Sequence, residues 1–237
     1  MYGQYAPTVA QAPANERARF LVKTYAHLVG AIFAFVAIIA GIFASGYAET
    51  IARTMLGVSW LLVIAAFMGV SYAANSLARS GASQAKQYAG LGLYVVAEAF
   101  IFVPLIYIAL EGAQDAGAAT AGLELLAEAG AITVGMFSGL SAIVFLTRMN
   151  FSFLRGALMF GFFAALALIV ASAILGFDLG IFFVWAMVVL ASLSILFNTS
   201  KVLHEYDTRQ HVAAALTLFA SFALLLWYVI QILMSRR

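Results

Sequence analysis

The chain has 237 residues, of which 65% are hydrophobic and only 9% are charged. A soluble domain carries about 25% charged residues, so this composition excludes a soluble enzyme and a nucleic-acid-binding protein. The sequence contains no cysteine, which excludes disulfides, a thiol nucleophile and cysteine-based metal sites. We therefore predict a polytopic, all-α integral membrane protein whose main partner is the lipid bilayer.

Residues 1–25 are polar, contain Pro7 and Pro13, and are predicted to form a mostly disordered tail. A bilayer core of about 30 Å requires about 20 apolar residues per helix. Seven runs of about that length follow the tail, so residues 26–237 form a single predicted transmembrane domain. The first run is too long for the apolar part of a cleaved signal peptide and is expected to be retained. The predicted spans are 26–45, 58–78, 88–110, 127–147, 153–175, 179–199 and 212–234.

The distribution of Lys and Arg predicts the orientation of the spans. Nine of these residues lie in the tail and in the second, fourth and sixth connections, and three lie on the opposite side. Because Lys and Arg favour the cytoplasmic side, we expect a cytoplasmic N-terminus and an external C-terminus. This bias suits a bacterial inner membrane. Arg236 and Arg237 go against it and leave open a re-entrant end of the seventh span.

Ionisable residues at membrane depth are costly, so each is a candidate functional residue. Glu98 lies about ten residues into the third span, and Pro104 follows in the same helix. Proline lacks a backbone N–H, which predicts a kink and a free carbonyl at Phe100. Burial disfavours the charged form of a carboxyl group. Glu98 is therefore either a neutral group hydrogen-bonded to another span or a group that handles protons or cations.

A second candidate is the connection before the last span, where two histidines lie among acidic residues. Such a group is either a solvated loop or a sensor of pH between about 5 and 8. Its histidines do not have the spacing of a recognised metal site. Elsewhere in the chain, the lysines all lie in or next to the connections, which excludes a retinal Schiff base within a span. We expect no enzyme activity, no cofactor and no metal site. The candidate pH-sensing residues are His204, Glu205, Asp207 and His211.

Three stretches taken together resemble the Bax inhibitor-1 family of seven-span membrane proteins. They are GMFSGLSAIVFLTRMNFSFLRG at 135–156, SILFNTSKVLHEY at 194–206 and AALTLFASFALLLWYVIQIL at 214–233. The segment TYAHLVG at 24–30 is similar to the family's first span. The resemblance implies a seven-helix bundle with its last helix near the centre. It also implies a pH-sensitive calcium leak or a role in stress survival, and bacterial relatives include a modulator of a membrane-bound AAA protease.

The chain departs from this family at its acidic positions. Members typically carry an aspartate in the sixth helix and another in the seventh, and this pair shares protons and opens or closes the pore. Asn198 and Ser221 replace both acids here, and Asn150 replaces a common acid in the loop before the fifth span. Neither Asn nor Ser titrates, so a coupled-carboxylate gate cannot operate at this place. Both remain oxygen ligands, but without charge their affinity for calcium is expected to be much lower.

Two functions remain open. In the first, the chain is a cation-permeable or proton-coupled leak in which Glu98 supplies the deep titratable group. In the second, it is a non-conducting partner of a membrane protease or another membrane complex. A neutral hydrogen bond between Asn198 and Ser221 would then hold the bundle together without a buried charge.

Overall fold

The chain folds into α-helices. The computed structural model describes residues 8–80, 83–115 and 120–236, and within these ranges the only β-structure is an isolated bridge between Thr8 and Asp207. The helices are α1 (Ala14–Ala44), α2 (Ala48–Gly57), α3 (Trp60–Ala78), α4 (Gln84–Asp115), α5 (Ala121–Thr147), α6 (Leu154–Leu175), α7 (Gly180–His204) and α8 (His211–Met234).

All of these helices except α2 are long and apolar enough to cross a membrane. This result confirms the seven predicted spans, each of which overlaps its predicted range. The last span is one continuous helix of 24 residues. At a rise of 1.5 Å per residue it is about 36 Å long, which is sufficient to cross a hydrocarbon core of about 30 Å.

The last helix, α8, lies at the centre of the bundle. Of its most apolar 18-residue stretch, 72% is buried, compared with 11% for α3 and 6% for α6. This confirms the central position that the family resemblance implies for the last helix. The peripheral helices α3 and α6 present large apolar side chains on the outside, including Leu62 and Phe160. In a bilayer these faces contact lipid.

Aromatic side chains pack α1, α4 and α5 against α8. Phe219 is fully buried, and its ring has one neighbour on α1 and one on α4. Edge-to-face pairs of this kind contribute about 0.5–1.5 kcal/mol beyond area burial. The ring pairs, with centroid distances, are Phe219–Phe35 at 5.8 Å, Phe219–Tyr94 at 6.1 Å, Phe222–Phe137 at 5.8 Å and Trp227–Phe102 at 5.1 Å.

Helices α3 and α4 approach each other closely at Gly90. A Cβ atom at this position would lie 2.5 Å from the carbonyl oxygen of Ala74 and 2.6 Å from the amide nitrogen of Ala78. Ala74 and Ala78 are themselves buried and small. Small residues are what allow helices in membranes to pack backbone against backbone. The absence of a side chain at Gly90 therefore sets the distance between the two helices.

The first connection contains a short helix, α2, that the sequence analysis did not predict. Ala48 and Ala52 are buried on one of its faces, where they pack with Val103 of α4. Glu49 and Arg53 form an exposed ion pair at 2.8 Å on the other side. With ten residues, α2 is too short to span a bilayer. It covers the end of the bundle opposite the α7–α8 turn.

The prediction of a disordered tail over residues 1–25 was wrong for residues 14–25, which form the first three turns of α1. Pro13 immediately precedes the helix, where its missing N–H is not needed. Phe20 and Thr24 are buried, whereas Arg19 and Lys23 are exposed, so the polar residues of this segment form the outer face of an ordered helix. Polarity alone was misread as disorder. Residues 1–7 lie outside the described part of the chain.

Residues before α1 form an N-terminal latch, defined here as residues 8–12, on the turn between α7 and α8. Val9 is fully buried, and its amide N–H donates to the carbonyl oxygen of Tyr206 at 2.8 Å. Arg17 holds the latch from α1, since its guanidinium donates to the carbonyl oxygens of Val9 at 3.1 Å and Ala10 at 2.9 Å. The latch thus ties the first span to the last connection.

Candidate functional site

The two positions that replace the family's acids meet between α7 and α8. Asn198 Nδ2 donates to Ser221 Oγ at 2.8 Å and to Ser194 Oγ at 3.1 Å. The two serine hydroxyls are 3.0 Å apart, and Ser221 Oγ also donates to the carbonyl oxygen of Thr217 at 3.2 Å. The hydrogen bond between Asn198 and Ser221 that was hypothesised from the sequence is present. We call Ser194, Asn198 and Ser221 the neutral triad.

The donors and acceptors of the neutral triad are mutually consistent. If Ser221 donates to the Thr217 carbonyl, its oxygen accepts from both Asn198 and Ser194, and Ser194 accepts from Asn198. Each of these four contacts is then a hydrogen bond with one donor and one acceptor. Ser221 is buried, and Ser194 and Asn198 are half-buried. The arrangement satisfies polar groups without a titratable proton.

Hydroxyl groups continue from the triad toward the α7–α8 turn. Thr217 lies one turn before Ser221 on α8, and its Oγ1 donates to the carbonyl oxygen of Ala213 at 2.9 Å. The same hydroxyl is 2.9 Å from the hydroxyl of Tyr206, which is buried beneath the N-terminal latch. A polar seam therefore extends from the turn to the middle of α8. The roles of Ser194 and Thr217 in this site were not predicted from the sequence, although each lies four residues from a predicted site residue.

Glu98 occupies a different interface. It is 6% exposed, and the hydroxyl of Tyr94 is its hydrogen-bond partner one turn earlier on α4. Tyr94 and Phe102, one turn to either side of Glu98, pack on Phe219 and Trp227 of α8. Along the bundle axis, Glu98 therefore lies at a height between those of Phe219 and Trp227 on α8.

The positions of the contacting residues on α8 separate Glu98 from the triad. At 100° per residue, Phe219 and Trp227 lie on one side of α8, and Ser221 lies nearly opposite. Tyr228, which packs on Phe183 of α7 at 6.3 Å, lies on the same side as Ser221. The structure thus brings Asn198 and Ser221 together but puts α8 between them and Glu98.

Pro104 lies inside α4, which continues through it as a single helix. The proline lines a cavity of about 580 Å³ at the end of the bundle opposite the α7–α8 turn. Trp60 and Trp227 stack at 6.2 Å along the same cavity, and Asp178 lies on its lining. The kink at Pro104 stays a prediction.

The predicted cluster in the sixth connection is not assembled. His204 ends α7 and its Nδ1 is 2.8 Å from the carbonyl oxygen of Ser200, while Asp207 pairs with Arg209 at 3.4 Å. Glu205 is exposed, and His211 begins α8 and points its ring at α1. Nearness in sequence was misleading because the chain changes direction between α7 and α8. In residues 8–80, 83–115 and 120–236 no group of three His, Asp or Glu residues is arranged to hold a metal ion.

The partner of His211 is His27, a residue that the sequence analysis did not select. The two rings meet edge to face at 5.0 Å. His27 Nε2 is also 3.0 Å from the hydroxyl of Tyr88, and the His27 and Tyr88 rings stack at 5.4 Å. His27, Tyr88 and His211 therefore join α1, α4 and α8 at the α7–α8 end of the bundle.

Comparison with known proteins assigns the chain to a family independently of its structure. Residues 17–237 match the family described as "Inhibitor of apoptosis-promoting Bax1". An uncharacterized protein of Pseudomonas aeruginosa is 34% identical over 114 residues, which make up 47% of this chain and 50% of that protein. The match thus spans half the length of the curated relative. No solved structure matches the chain. With a match over nearly its whole length, seven helices fit to span a membrane and a central last helix, the chain belongs to the Bax inhibitor-1 family.

Proposed function

We propose that this chain is a closed, non-conducting member of its family that acts without catalysis, by associating with a membrane-bound AAA protease. The observation that carries the proposal is the neutral triad at the place where the family's gating acids are expected. A gate that opens on proton exchange needs a group that changes charge, and Asn198 and Ser221 have none. The hydrogen bonds of the triad instead favour one fixed arrangement of α7 against α8.

The packing beyond the triad supports a closed bundle. Ile195, Leu218 and Leu225 are fully buried around this level of the bundle. Farther toward the opposite end, the rings of Phe183 and Tyr228 close the seam between α7 and α8. An ion would have to lose its hydration shell in an apolar region that offers no charged ligand, which is strongly unfavourable.

A second candidate function, a cation leak with weak calcium selectivity, is favoured by one observation. Glu98 is a carboxyl group almost completely buried at membrane depth, and such groups often mark ion or proton pathways. Ion homeostasis and stress survival would follow from such a leak. The route would run along the interface of α4 and α8 rather than through the triad.

Flux measurements separate the two functions. The full-length chain is reconstituted in liposomes, and calcium flux is measured from pH 5 to pH 8 beside Glu98→Gln and an Asn198→Asp/Ser221→Asp double variant. We expect no flux above that of empty liposomes for the unsubstituted chain and for Glu98→Gln. A flux that Glu98→Gln abolishes would overturn the closed bundle in favour of the second candidate. Flux in the double variant but not in the unsubstituted chain would show that the assay can detect a gated pore. It would also show that the neutral triad does not form such a gate.

A second measurement tests the association. The bacterial membrane-bound AAA protease is co-reconstituted with the chain, and degradation of one of its membrane substrates is timed. We expect the chain to change the degradation rate several-fold. A seven-span protein of unrelated sequence at the same density is the control for crowding in the bilayer. An equal effect of both proteins, or no effect, would contradict the proposal.

The orientation belongs to the same proposal. The excess of Lys and Arg, nine against three, supports a cytoplasmic N-terminus and an external C-terminus in a bacterial inner membrane. The N-terminal latch and the α7–α8 turn would then face the cytoplasm, where the proteolytic domain of such a protease operates. Accessibility of a cysteine introduced at Thr208 to a membrane-impermeant thiol reagent tests this orientation, because the chain has no cysteine of its own.

A further inference from the structure

A groove runs along the outside of the bundle between α1 and α4. Its volume is about 430 Å³. Small residues form much of its lining, since Gly30 and Ala34 come from α1 and Gly92 from α4. A Cβ atom at Gly30 or Gly92 would meet no other atom within 4 Å, so the groove is open at both glycines. Leu91 and Val96 add apolar walls.

The groove has the length of one lipid chain in one leaflet. Its lining on α1 extends from Ala26 to Ile38. Twelve residues of α-helix rise by about 18 Å, which is close to half of a hydrocarbon core of about 30 Å. An outward-facing groove at this depth is filled from the bilayer. An acyl chain therefore fits this groove better than a soluble ligand or a peptide does.

The charges at the mouth of the groove determine which lipid fits. Arg19, Lys23 and His27 lie at four-residue intervals and so share the face of α1 that leads into the groove. Arg19 and Lys23 are exposed, and neither forms an ion pair within the described part of the chain. The hydroxyl of Tyr88, at the same level on α4, contacts His27 at 3.0 Å. The acid nearest in sequence, Glu16, lies about one turn farther from the groove than Arg19.

We propose that the α1–α4 groove binds one anionic phospholipid. One acyl chain occupies the groove from Ala26 to Ile38, and Lys23 and Arg19 bind the phosphate. Basic pockets between spans on one side of a membrane bind anionic headgroups in this way. The cavity at the opposite end is larger, but Asp178 and no Lys or Arg lies on its lining, so it does not share this preference.

The test compares lipid preference in nanodiscs that contain the full-length chain in equal parts of phosphatidylglycerol and phosphatidylcholine. Native mass spectrometry counts the lipids of each class that stay bound after release from the nanodisc. We expect retained phosphatidylglycerol to exceed phosphatidylcholine for the unsubstituted chain. The Arg19→Gln/Lys23→Gln variant should lose this preference by about tenfold or more. Gly30→Leu should reduce retention of both lipids, because its side chain fills the groove.

A charge-matched control distinguishes a site from diffuse attraction. Arg79→Gln/Arg155→Gln removes the same charge elsewhere on the protein, since both side chains lie near Lys201 of α7 and outside the groove lining. An equal loss of preference in this control would overturn the proposal, as would full retention in Gly30→Leu. Added inorganic phosphate tests whether a free anion is the true ligand, and displacement of the lipid by millimolar phosphate would contradict a lipid site. Thermal melting of each variant checks that it is folded.

Discussion

Gly90→Ala is expected to destabilise the bundle by about 3 kcal/mol or more, although it adds a single methyl group. The new Cβ would lie 2.5 Å from the carbonyl oxygen of Ala74 and 2.6 Å from the amide nitrogen of Ala78. These are backbone atoms of a neighbouring helix and cannot turn away as the end of a flexible side chain can. Helix α3 must therefore shift away from α4 along its length. The melting temperature in detergent should fall by roughly 10 °C.

Gly92→Ala is the matched control for this substitution. Gly92 lies two residues later on the same helix, and a Cβ atom there meets nothing within 4 Å. Alanine is favoured over glycine in a helix by about 1 kcal/mol, so this variant should melt at the same temperature as the unsubstituted chain or slightly above it. Equal melting temperatures for the two variants would show that α3 and α4 are not in backbone contact at Gly90.

Phe219→Ala is expected to reduce the free energy of unfolding by about 3–5 kcal/mol. The side chain is fully buried at the centre of the bundle, between Phe35 of α1 and Tyr94 of α4. Its removal leaves a cavity that three helices would have to close together. The loss is measured by denaturation of the purified protein in detergent, with unfolding followed by tryptophan fluorescence.

Phe182→Ala separates packing from hydrophobicity. Phe182 is 86% exposed on α7 and faces lipid. Its removal deletes the same side chain but leaves no internal cavity, so the expected change is within about 0.5 kcal/mol. If both variants lose the same free energy of unfolding, the stability comes from apolar composition alone, and the central position of α8 makes no separate contribution.

The sequence predicts which segments cross the membrane better than it predicts which are buried. Length and apolar composition identify all seven spans, since hydropathy responds directly to the bilayer. The same property cannot select the central helix, because lipid is as apolar as the interior of a bundle. The buried α8 has a mean hydropathy of 2.1 and the exposed α6 one of 2.6. The central position of α8 was available only through the family resemblance.

The contacts of the candidate site also differ in whether the sequence predicts them. The contact of Asn198 with Ser221 follows from the family's facing acids, and the structure contains it. The contact of His27 with His211 joins residues that are far apart in the sequence, and no local pattern connects them. The path of the chain after His204 decides that contact, and the N-terminal latch contacts this path through the hydrogen bond from Val9 to Tyr206. The role of Glu98 stays a prediction, because burial alone does not distinguish a structural carboxyl from a conducting one.

The central position of α8 has a consequence for biosynthesis. The ribosome makes α8 after the other six spans, and at about 5–20 residues per second its 24 residues take roughly 1–5 s to appear. During that interval the aromatic faces of α1, α4 and α5 are inserted without the helix on which they pack, and Ser194 and Asn198 of α7 lack Ser221. Lipid or an insertion factor must fill that place, so a stalled chain would present polar groups that quality-control machinery in the membrane is able to recognise.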